Sequence, residues 1–248
     1  MGGAAVITGA ARRIGRVLAV QAARSGFDVA VHHRDSPADA EETAALVRAE
    51  GRRACVLAGE LSDRDAGDLI GRAETALGPV TLLVNNASLF LEDRLETFDA
   101  ADLDAHMAIN VRAPAVLARA MAARLPADRA GLIVNILDQR VWRPNPQFFG
   151  YSLSKAALWH ATRTMAQALA PRIRVNAIGP GPTYASIHQA PGEFEQEAAG
   201  TPLGLAVSPE DIAGALRYLI DARAVTGQMI AVDSGQHLAW RTPDVIHP

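Results

Sequence analysis

Ala4-Ala5-Val6-Ile7-Thr8-Gly9-Ala10-Ala11-Arg12-Arg13-Ile14-Gly15 is the stretch that decides the fold. A short apolar run ends at Gly9, and apolar residues then recur at helical spacing from Ile14 to Ser25, before Gly26. Small residues at such a turn let a ligand approach the backbone, and the amino end of a helix favours negative charge. The stretch therefore predicts a strand, a glycine turn and a helix that together bind a pyrophosphate.

The same alternation of apolar strands and helices continues along the chain. Further strands are predicted at 28–32, 53–58, 81–84, 131–136, 173–177 and about 229–232. Helices are predicted at 37–50, 63–77, 98–124 and 148–170, and one more opens at Ser208-Pro209-Glu210. This order predicts an α/β fold: a single Rossmann-type, doubly wound parallel sheet with helices on both faces, formed by one domain over 1–248.

Composition excludes several classes of protein. The chain has 248 residues, of which 49% are hydrophobic, and a formal net charge of −3, so no overall basic field indicates nucleic acid or a membrane surface as a partner. A single cysteine, Cys55, excludes an internal disulfide framework, and no cluster has the spacing of metal ligands. No basic leader with a long apolar run opens the chain, so we expect a cytoplasmic protein without a membrane span.

Tyr151 and Lys155 lie one turn apart on the predicted helix 148–170, so a phenol and an ammonium share one face. The lysine charge is expected to lower the pKa of the tyrosine and make it a proton donor near neutral pH. Asp138 lies thirteen residues before the tyrosine, at the end of a strand. Two interpretations of Asp138 stand: it takes part in the proton chemistry, or it caps a neighbouring amide.

The end of the second strand predicts which cofactor the chain prefers. NADH calls for Asp or Glu there, to bind the free ribose hydroxyl, whereas this strand ends in His32-His33-Arg34. Arg34 and Arg13, with Ser36, can hold a 2′-phosphate through charge-assisted hydrogen bonds. We therefore predict NADPH, while Asp35, which can take the hydroxyl, leaves NADH possible.

With these residues in view, the chain resembles the short-chain dehydrogenase/reductase family over nearly its whole length. The resemblance rests on these segments: Thr8–Gly15, Asn85-Asn86-Ala87, Asn110, Tyr151 with Lys155, Asn176–Gly181, and Val225-Thr226-Gly227 with Val232-Asp233. It implies a nicotinamide cofactor, hydride transfer and a homotetramer. One position departs from the family pattern, because Asp138 replaces the catalytic serine.

That departure is similar to the pteridine reductase and dihydromonapterin reductase branch, as are Asn-Ala-Ser-Leu-Phe at 86–90 and the paired arginines of the first turn. The resemblance implies that Phe90 stacks a pterin on the nicotinamide, although Phe90 alone is more often a core residue. It also implies that Asn110 holds a water connecting Lys155 to solvent.

The implied catalytic residues are Asp138, Tyr151, Lys155 and Asn110. Those for substrate are Arg13, Ser88, Phe90, Asp138 and Tyr151. Those for the cofactor are Gly9, Arg12, Arg13, Ile14, Gly15, His33, Arg34, Ser36, Glu60, Leu61, Asn86, Ala87, Ser88, Tyr151, Lys155, Pro180 and Gly181.

The segment 179–207 is too long for an ordinary connection in this fold and predicts a substrate lid, with a merely irregular loop as the alternative. Its His188 is predicted to be solvated.

The favoured function is NADPH-dependent reduction of a C=N bond in a small pterin-like molecule. The alternatives are a carbonyl or 3-oxoacyl thioester reductase of the same family and a catalytically silent nucleotide-binding protein.

Overall fold

The computed structural model describes residues 2–63 and 65–240, and its centre is a seven-stranded parallel sheet. The strands are β1 (Gly3–Ile7), β2 (Phe27–His33), β3 (Ala54–Ala58), β4 (Val80–Asn85), β5 (Gly131–Ile136), β6 (Ile173–Pro180) and β7 (Met229–Val232). They lie in the order β3-β2-β1-β4-β5-β6-β7, so the winding reverses between β1 and β4. The predicted doubly wound sheet is confirmed, and a crevice at the carboxyl ends of β1 and β4 is where such sheets bind ligands.

Helices cover both faces of the sheet. They are α1 (Arg13–Arg24), α2 (Pro37–Ala49), α3 (Asp68–Leu77), α4 (Ala100–Met107), α5 (Ala113–Arg124), α6 (Phe149–Leu169), α7 (Glu193–Ala199) and α8 (Pro209–Asp221). Leu18 of α1 and Leu216 of α8 belong to the core on one face. Ile70 of α3 and Leu117 of α5 belong to the core on the other.

Burial on both faces explains why β1 is continuously apolar and why the other strands are mostly so. In β1, Ala5 and Ile7 face the core that contains α1, whereas Ala4 and Val6 face the core that contains α5, and all four are fully buried. Successive side chains of a strand point to opposite faces, so a sheet covered on both sides needs apolar residues at every position. The apolar run at the start of the chain therefore fixes β1 as a central strand.

The predicted continuous helix 98–124 is wrong in one respect. A π-helical turn, Ala108–Arg112, separates α4 from α5. Pro114 has no N–H with which to bond the carbonyl of Asn110 four residues earlier, so the regular ladder cannot pass this point. Wide turns of this kind are frequent at functional sites, and Asn110 lies at the middle of this one.

Other boundaries shift by a few residues. The predicted helix 63–77 begins only at Asp68. Before it, the backbone carbonyls of Asp63 and Asp65 accept hydrogen bonds from N–H groups three residues later, which form tight turns. The predicted lid 179–207 overlaps the end of β6, which extends to Pro180, and it contains α7. No helix within residues 2–63 and 65–240 has the length and apolar character needed to cross a membrane.

Candidate active site

A cleft of about 660 Å³ opens at the carboxyl edge of the sheet. Every residue predicted to contact cofactor or substrate lines it, including Gly9, Ser36, Phe90, Asp138 and Tyr151. Asn110 is the predicted site residue that does not line the cleft, because it lies behind the wall. A cleft of this size suits a dinucleotide with a small second molecule.

The first turn is built for close approach of backbone to ligand. Gly9 has a left-handed φ of +61°, and a Cβ added to Gly15 would lie 2.2 Å from the Gly9 carbonyl oxygen. The Asn86 amide donates to the carbonyls of Thr8 and Gly9 at 2.9 and 3.0 Å, which ties the turn to the end of β4. Asn86 therefore acts on this turn through its side chain, in addition to lining the cleft.

His32, which sequence reasoning did not select for the site, supports the same turn. Its Nδ1 accepts from the Gly9 N–H at 3.1 Å, so its Nε2 carries the proton of the neutral ring and donates to the Gly59 carbonyl at 3.1 Å. Burial lowers the pKa of His32 to about 4. No local pattern signals this role, because the bonds of His32 reach across 23 and 27 residues of chain.

The amino end of α1 fits an anionic ligand. No side chain caps it and no acidic residue lies in its first turn, although such helix ends leave N–H groups unsatisfied. Arg12 and Arg13 stand at this end, and Arg13 adopts a left-handed φ of +52°. Positive charge here opposes the helix dipole unless an anion is bound, so the predicted pyrophosphate site agrees with the local geometry.

The arginines divide differently from the prediction for the 2′-phosphate. Arg12, rather than Arg13, reaches Ser36, donating to its hydroxyl at 2.7 Å. The guanidinium of Arg13 instead lies 5.0 Å from the centre of the Tyr184 ring and donates to the Ala185 carbonyl. Arg13, which has a left-handed backbone, thus contacts the predicted lid, and its part in holding a 2′-phosphate with Arg34 and Ser36 stays a prediction.

Arg34 also has a partner of its own. Its guanidinium forms an exposed ion pair with Asp35 at 3.1 Å. This pair lowers the pKa of Asp35, so the carboxylate stays ionised near the place where a 2′-phosphate would bind. A ligand bound at this edge would therefore meet the charges of both residues.

Tyr151, Asp138 and Lys155 meet at the inner end of the cleft. The Tyr151 hydroxyl donates to Asp138 Oδ2 at 2.9 Å, and Lys155 Nζ donates to the Ile136 carbonyl at 2.9 Å. Tyr151 and Lys155 are buried on the first two turns of α6, as the spacing predicted. Asp138 also accepts from the Arg140 N–H at 2.8 Å, so one oxygen caps an amide and the other accepts from the tyrosine, while its part in the proton chemistry stays a prediction.

The pKa of Tyr151 differs from the one that the sequence predicted. Burial, then the charge of Asp138 and the hydrogen bond to it, raise the pKa of Tyr151 well above its usual value near 10. Burial lowers the pKa of Lys155 to about 8. The predicted lowering of the tyrosine pKa by the lysine is therefore wrong in this structure, because the nearest charge is a carboxylate. Tyr151 keeps its proton at neutral pH.

The Asn110 amide fixes the wall of the site. Its Oδ1 accepts from the Ser88 hydroxyl and the Leu89 N–H, and its Nδ2 donates to the Leu89 carbonyl and the Ser154 hydroxyl, all within 3.1 Å. These four bonds use the whole capacity of the side chain. The backbone carbonyl of Asn110 is therefore the group that could bind the predicted water, and this role stays a prediction.

An aromatic cluster walls the outer part of the cleft. Phe90 stacks on Phe148 at a ring separation of 4.3 Å and meets the edge of Tyr151 at 4.6 Å. His188 packs against both phenylalanines and lies 3.4 Å from the Phe90 carbonyl. The prediction of a solvated His188 is wrong, because its segment folds over the Phe90 wall, a contact 98 residues away in sequence.

The family model described as enoyl-(acyl carrier protein) reductase matches residues 9–237. An uncharacterized oxidoreductase of Mycobacterium tuberculosis is 34% identical over 239 residues, which cover 93% of this chain and 90% of that protein. The chain belongs to the short-chain dehydrogenase/reductase family. It is an NAD(P)-dependent oxidoreductase, as its sequence resemblance implied.

Solved structures extend this comparison. The FolM alternative dihydrofolate reductase 1 of Brucella suis, in complex with NADP, is 49% identical, with a TM-score of 0.94 and 98% of each chain covered. A blue fluorescent protein from a metagenomic library, in complex with NADPH, is 34% identical, with a TM-score of 0.85 and 94% of this chain and 97% of that one covered. Among relatives compared by sequence, a 3-oxoacyl-[acyl-carrier-protein] reductase of Synechocystis is 30% identical over 236 residues, covering 93% of this chain and 95% of that protein.

Proposed function

We propose that this protein is an NADPH-dependent reductase that acts on a C=N bond of a dihydropterin or a related flat heterocycle. The observation that carries the proposal is the 2.9 Å hydrogen bond from Tyr151 to Asp138, at the position where the family usually has serine. The likeness to the Brucella FolM dihydrofolate reductase, which covers 98% of the chain, supports it. The predicted cytoplasmic location and homotetramer belong to this proposal as expectations.

The preference for NADPH rests on the residues around the first turn. Gly9 and Gly15 leave room for the pyrophosphate, and Arg12 with Ser36 can hold the 2′-phosphate. The NADP and NADPH complexes of the FolM and fluorescent-protein structures support the same choice. When bound, NADPH supplies the hydride for the ring carbon of the substrate.

The proposed substrate slot is formed by side chains that line the cleft. Phe90, Ser88 and Arg13 all line the cleft, where the phenylalanine offers an apolar surface to a flat ring and the other two can bind polar groups. An ionised carboxylate accepts hydrogen bonds and donates none, so Asp138 suits the amino and ring N–H groups of a pterin better than a serine hydroxyl does. The segment after Pro180 acts as the lid that closes this slot.

The proton comes from Tyr151. Because the pKa of Tyr151 is raised, its Oη carries a proton at neutral pH, and the bond to Asp138 holds that oxygen in one place. When substrate is bound, the O–H turns from Asp138 to the substrate nitrogen next to the reduced carbon, and Oη passes its proton there as the hydride arrives. Lys155 Nζ lies 5.5 Å from the centre of the Tyr151 ring, and the positive charges of Lys155 and Arg140 offset the charge that develops on the phenol oxygen.

Reduction of a carbonyl or a 3-oxoacyl thioester is the second candidate. The description of the family model and the Synechocystis relative favour it. On that hypothesis Asp138 only replaces serine as a hydrogen-bond partner of Tyr151. A silent nucleotide-binding protein is the third, and the retention of Tyr151, Lys155 and Asn110 in one connected site argues against it.

The test follows oxidation of NADPH by its absorbance in the presence of a 7,8-dihydropterin, dihydrofolate or an acetoacetyl thioester. Each substrate is also tried with NADH. Preferential oxidation of NADPH with the dihydropterin supports the proposal. Turnover of the thioester alone favours the second candidate, and NADPH binding without turnover of any substrate favours the third.

A further inference from the structure

The amino end of the catalytic helix α6 has no cap within its own sequence. Phe148 precedes the helix with a left-handed φ of +54°, and its side chain makes no capping bond. Helix ends leave N–H groups that need acceptors, and a buried end without them is costly. The acceptor for α6 must therefore come from elsewhere in the chain.

Asp93 supplies it from 57 residues away. Its carboxylate accepts from the Gly150 N–H at 2.9 Å through Oδ2 and at 3.2 Å through Oδ1, and its carbonyl accepts from the Phe148 N–H at 2.9 Å. The residue is 7% exposed. Gly150 immediately precedes Tyr151, so the carboxylate holds the turn that carries the proton donor.

His106 also lies beside Gly150. The ring is fully buried, and its Nε2 accepts from the Leu91 N–H at 3.3 Å, so the proton of the neutral ring is on Nδ1. A Cβ added to Gly150 would lie 2.8 Å from Asp93 Oδ2 and 3.1 Å from His106 Nδ1. Only glycine fits between these two side chains without displacing them.

Both ends of the 88–93 loop, which carries Phe90, are thus anchored. Asn110 holds Ser88 and Leu89 at one end, and Asp93 binds α6 at the other. His106 and Asn110 lie one turn apart along the same interrupted helix. The Phe90 ring and the Tyr151 ring are therefore fixed relative to each other, at 4.6 Å and 81°.

We propose that Asp93 is a positioning residue that caps α6 in trans at Gly150 and thereby sets the place of Tyr151 against the Phe90 wall. It touches neither substrate nor cofactor and acts through the Gly150 N–H. The proposal rests on the proposed function only for the choice of substrate in its kinetic assay.

The first test compares Asp93→Ala with Asp93→Asn, because asparagine keeps an oxygen that can accept from Gly150. We expect Asp93→Ala to lower kcat about tenfold, with the NADPH dissociation constant within twofold of the wild-type value. Asp93→Asn is expected to recover most of that loss. Asp99→Ala is the matched control, since Asp99 caps α4 through Ala101 in the same way but at an exposed end. Its kcat should be unchanged.

The second test adds a methyl group at Gly150, between Asp93 and His106. Gly150→Ala is expected to lower kcat while NADPH binding is retained, because the new methyl group must push Asp93 or His106 away. Gly214→Ala is the control, an exposed glycine of α8 with no atom within 4 Å of the added Cβ. It should leave kcat unchanged.

A measurement without substrate separates this proposal from the proposed function. Hydrogen exchange of the 149–155 segment should be faster in Asp93→Ala than in the wild type and in Asp99→Ala, whichever substrate the enzyme uses. If no heterocycle is reduced but this exchange difference is found, the proposed function fails and the cap stands. Wild-type kcat and exchange in Asp93→Ala, equal losses in Asp93→Ala and Asp93→Asn, or a joint loss of NADPH binding would overturn the cap.

Discussion

The Tyr151 hydroxyl donates a 2.9 Å hydrogen bond to the carboxylate of Asp138. A tyrosine in this position would be a stronger acid beside a serine than beside a negative charge, because the carboxylate disfavours the phenolate. The arrangement gives the enzyme a proton held firmly at one oxygen, next to a second oxygen that only accepts. On the proposed function, this combination suits a heterocycle with N–H groups better than a simple carbonyl compound.

Replacing Tyr151 by phenylalanine removes the proton donor and keeps the ring against Phe90. We expect kcat for dihydropterin reduction to fall by a factor of about 10² to 10⁴, the usual range for loss of a general acid. NADPH affinity, measured by quenching of protein fluorescence, should change less than twofold. A variant with more than half of the wild-type kcat would show that another group supplies the proton.

The pKa of Lys155, lowered to about 8 by burial, predicts how the rate depends on pH. Its ammonium is present below that value and is lost as the pH rises through it. Because the ammonium offsets charge on the Tyr151 oxygen during proton transfer, kcat at saturating NADPH should fall above about pH 8. Unfolding curves at the same pH values serve as the control for stability. A flat profile from pH 7 to 10 would contradict this role.

His32 predicts a loss of stability in mild acid. Its pKa is about 4 in the folded protein against an ordinary 6.5, so between these values the unfolded chain binds a proton that the folded chain does not. The free energy of unfolding therefore rises with pH across this window, and full protonation removes about 3 kcal/mol. Urea titrations from pH 4 to 7 should show a shallower pH dependence in His32→Asn. His160→Gln, at an exposed position on α6, should keep the wild-type slope.

The Arg34–Asp35 pair predicts how to shift cofactor preference. The Asp35 carboxylate lies beside the groups that would hold a 2′-phosphate and repels it, so Asp35→Asn should raise the ratio of kcat/KM for NADPH over NADH about fivefold. Arg12→Ala should lower this ratio, because Arg12 reaches Ser36. Glu41→Gln, which removes a partner of Arg48 on α2, is the charge control. An unchanged ratio in both variants would place the 2′-phosphate elsewhere.

The fold was predictable because the central strands are buried on two faces and consist mostly of apolar residues. The site was predictable where fixed spacing carries it, as with Tyr151, Lys155 and Asp138. What the sequence did not reveal depends on contacts between distant segments: the cap of Asp93 on Gly150, the support of Gly9 by His32, and the packing of His188 on Phe90.

Two errors have more local causes. The acidity of Tyr151 depends on burial and on which charge is nearest, and helical spacing alone does not contain either quantity. The interruption of the helix 98–124 did have a signal, since Pro114 cannot bond to the carbonyl of Asn110.

The most direct test of the central claim restores the usual residue of the family in Asp138→Ser. Steady-state kcat/KM with NADPH is measured for a 7,8-dihydropterin and for an acetoacetyl thioester, in the wild type and in the variant. We expect the wild type to prefer the dihydropterin and the variant to lose about tenfold or more of this activity, while thioester reduction stays equal or rises. A variant that reduces the dihydropterin as well as the wild type would contradict the account.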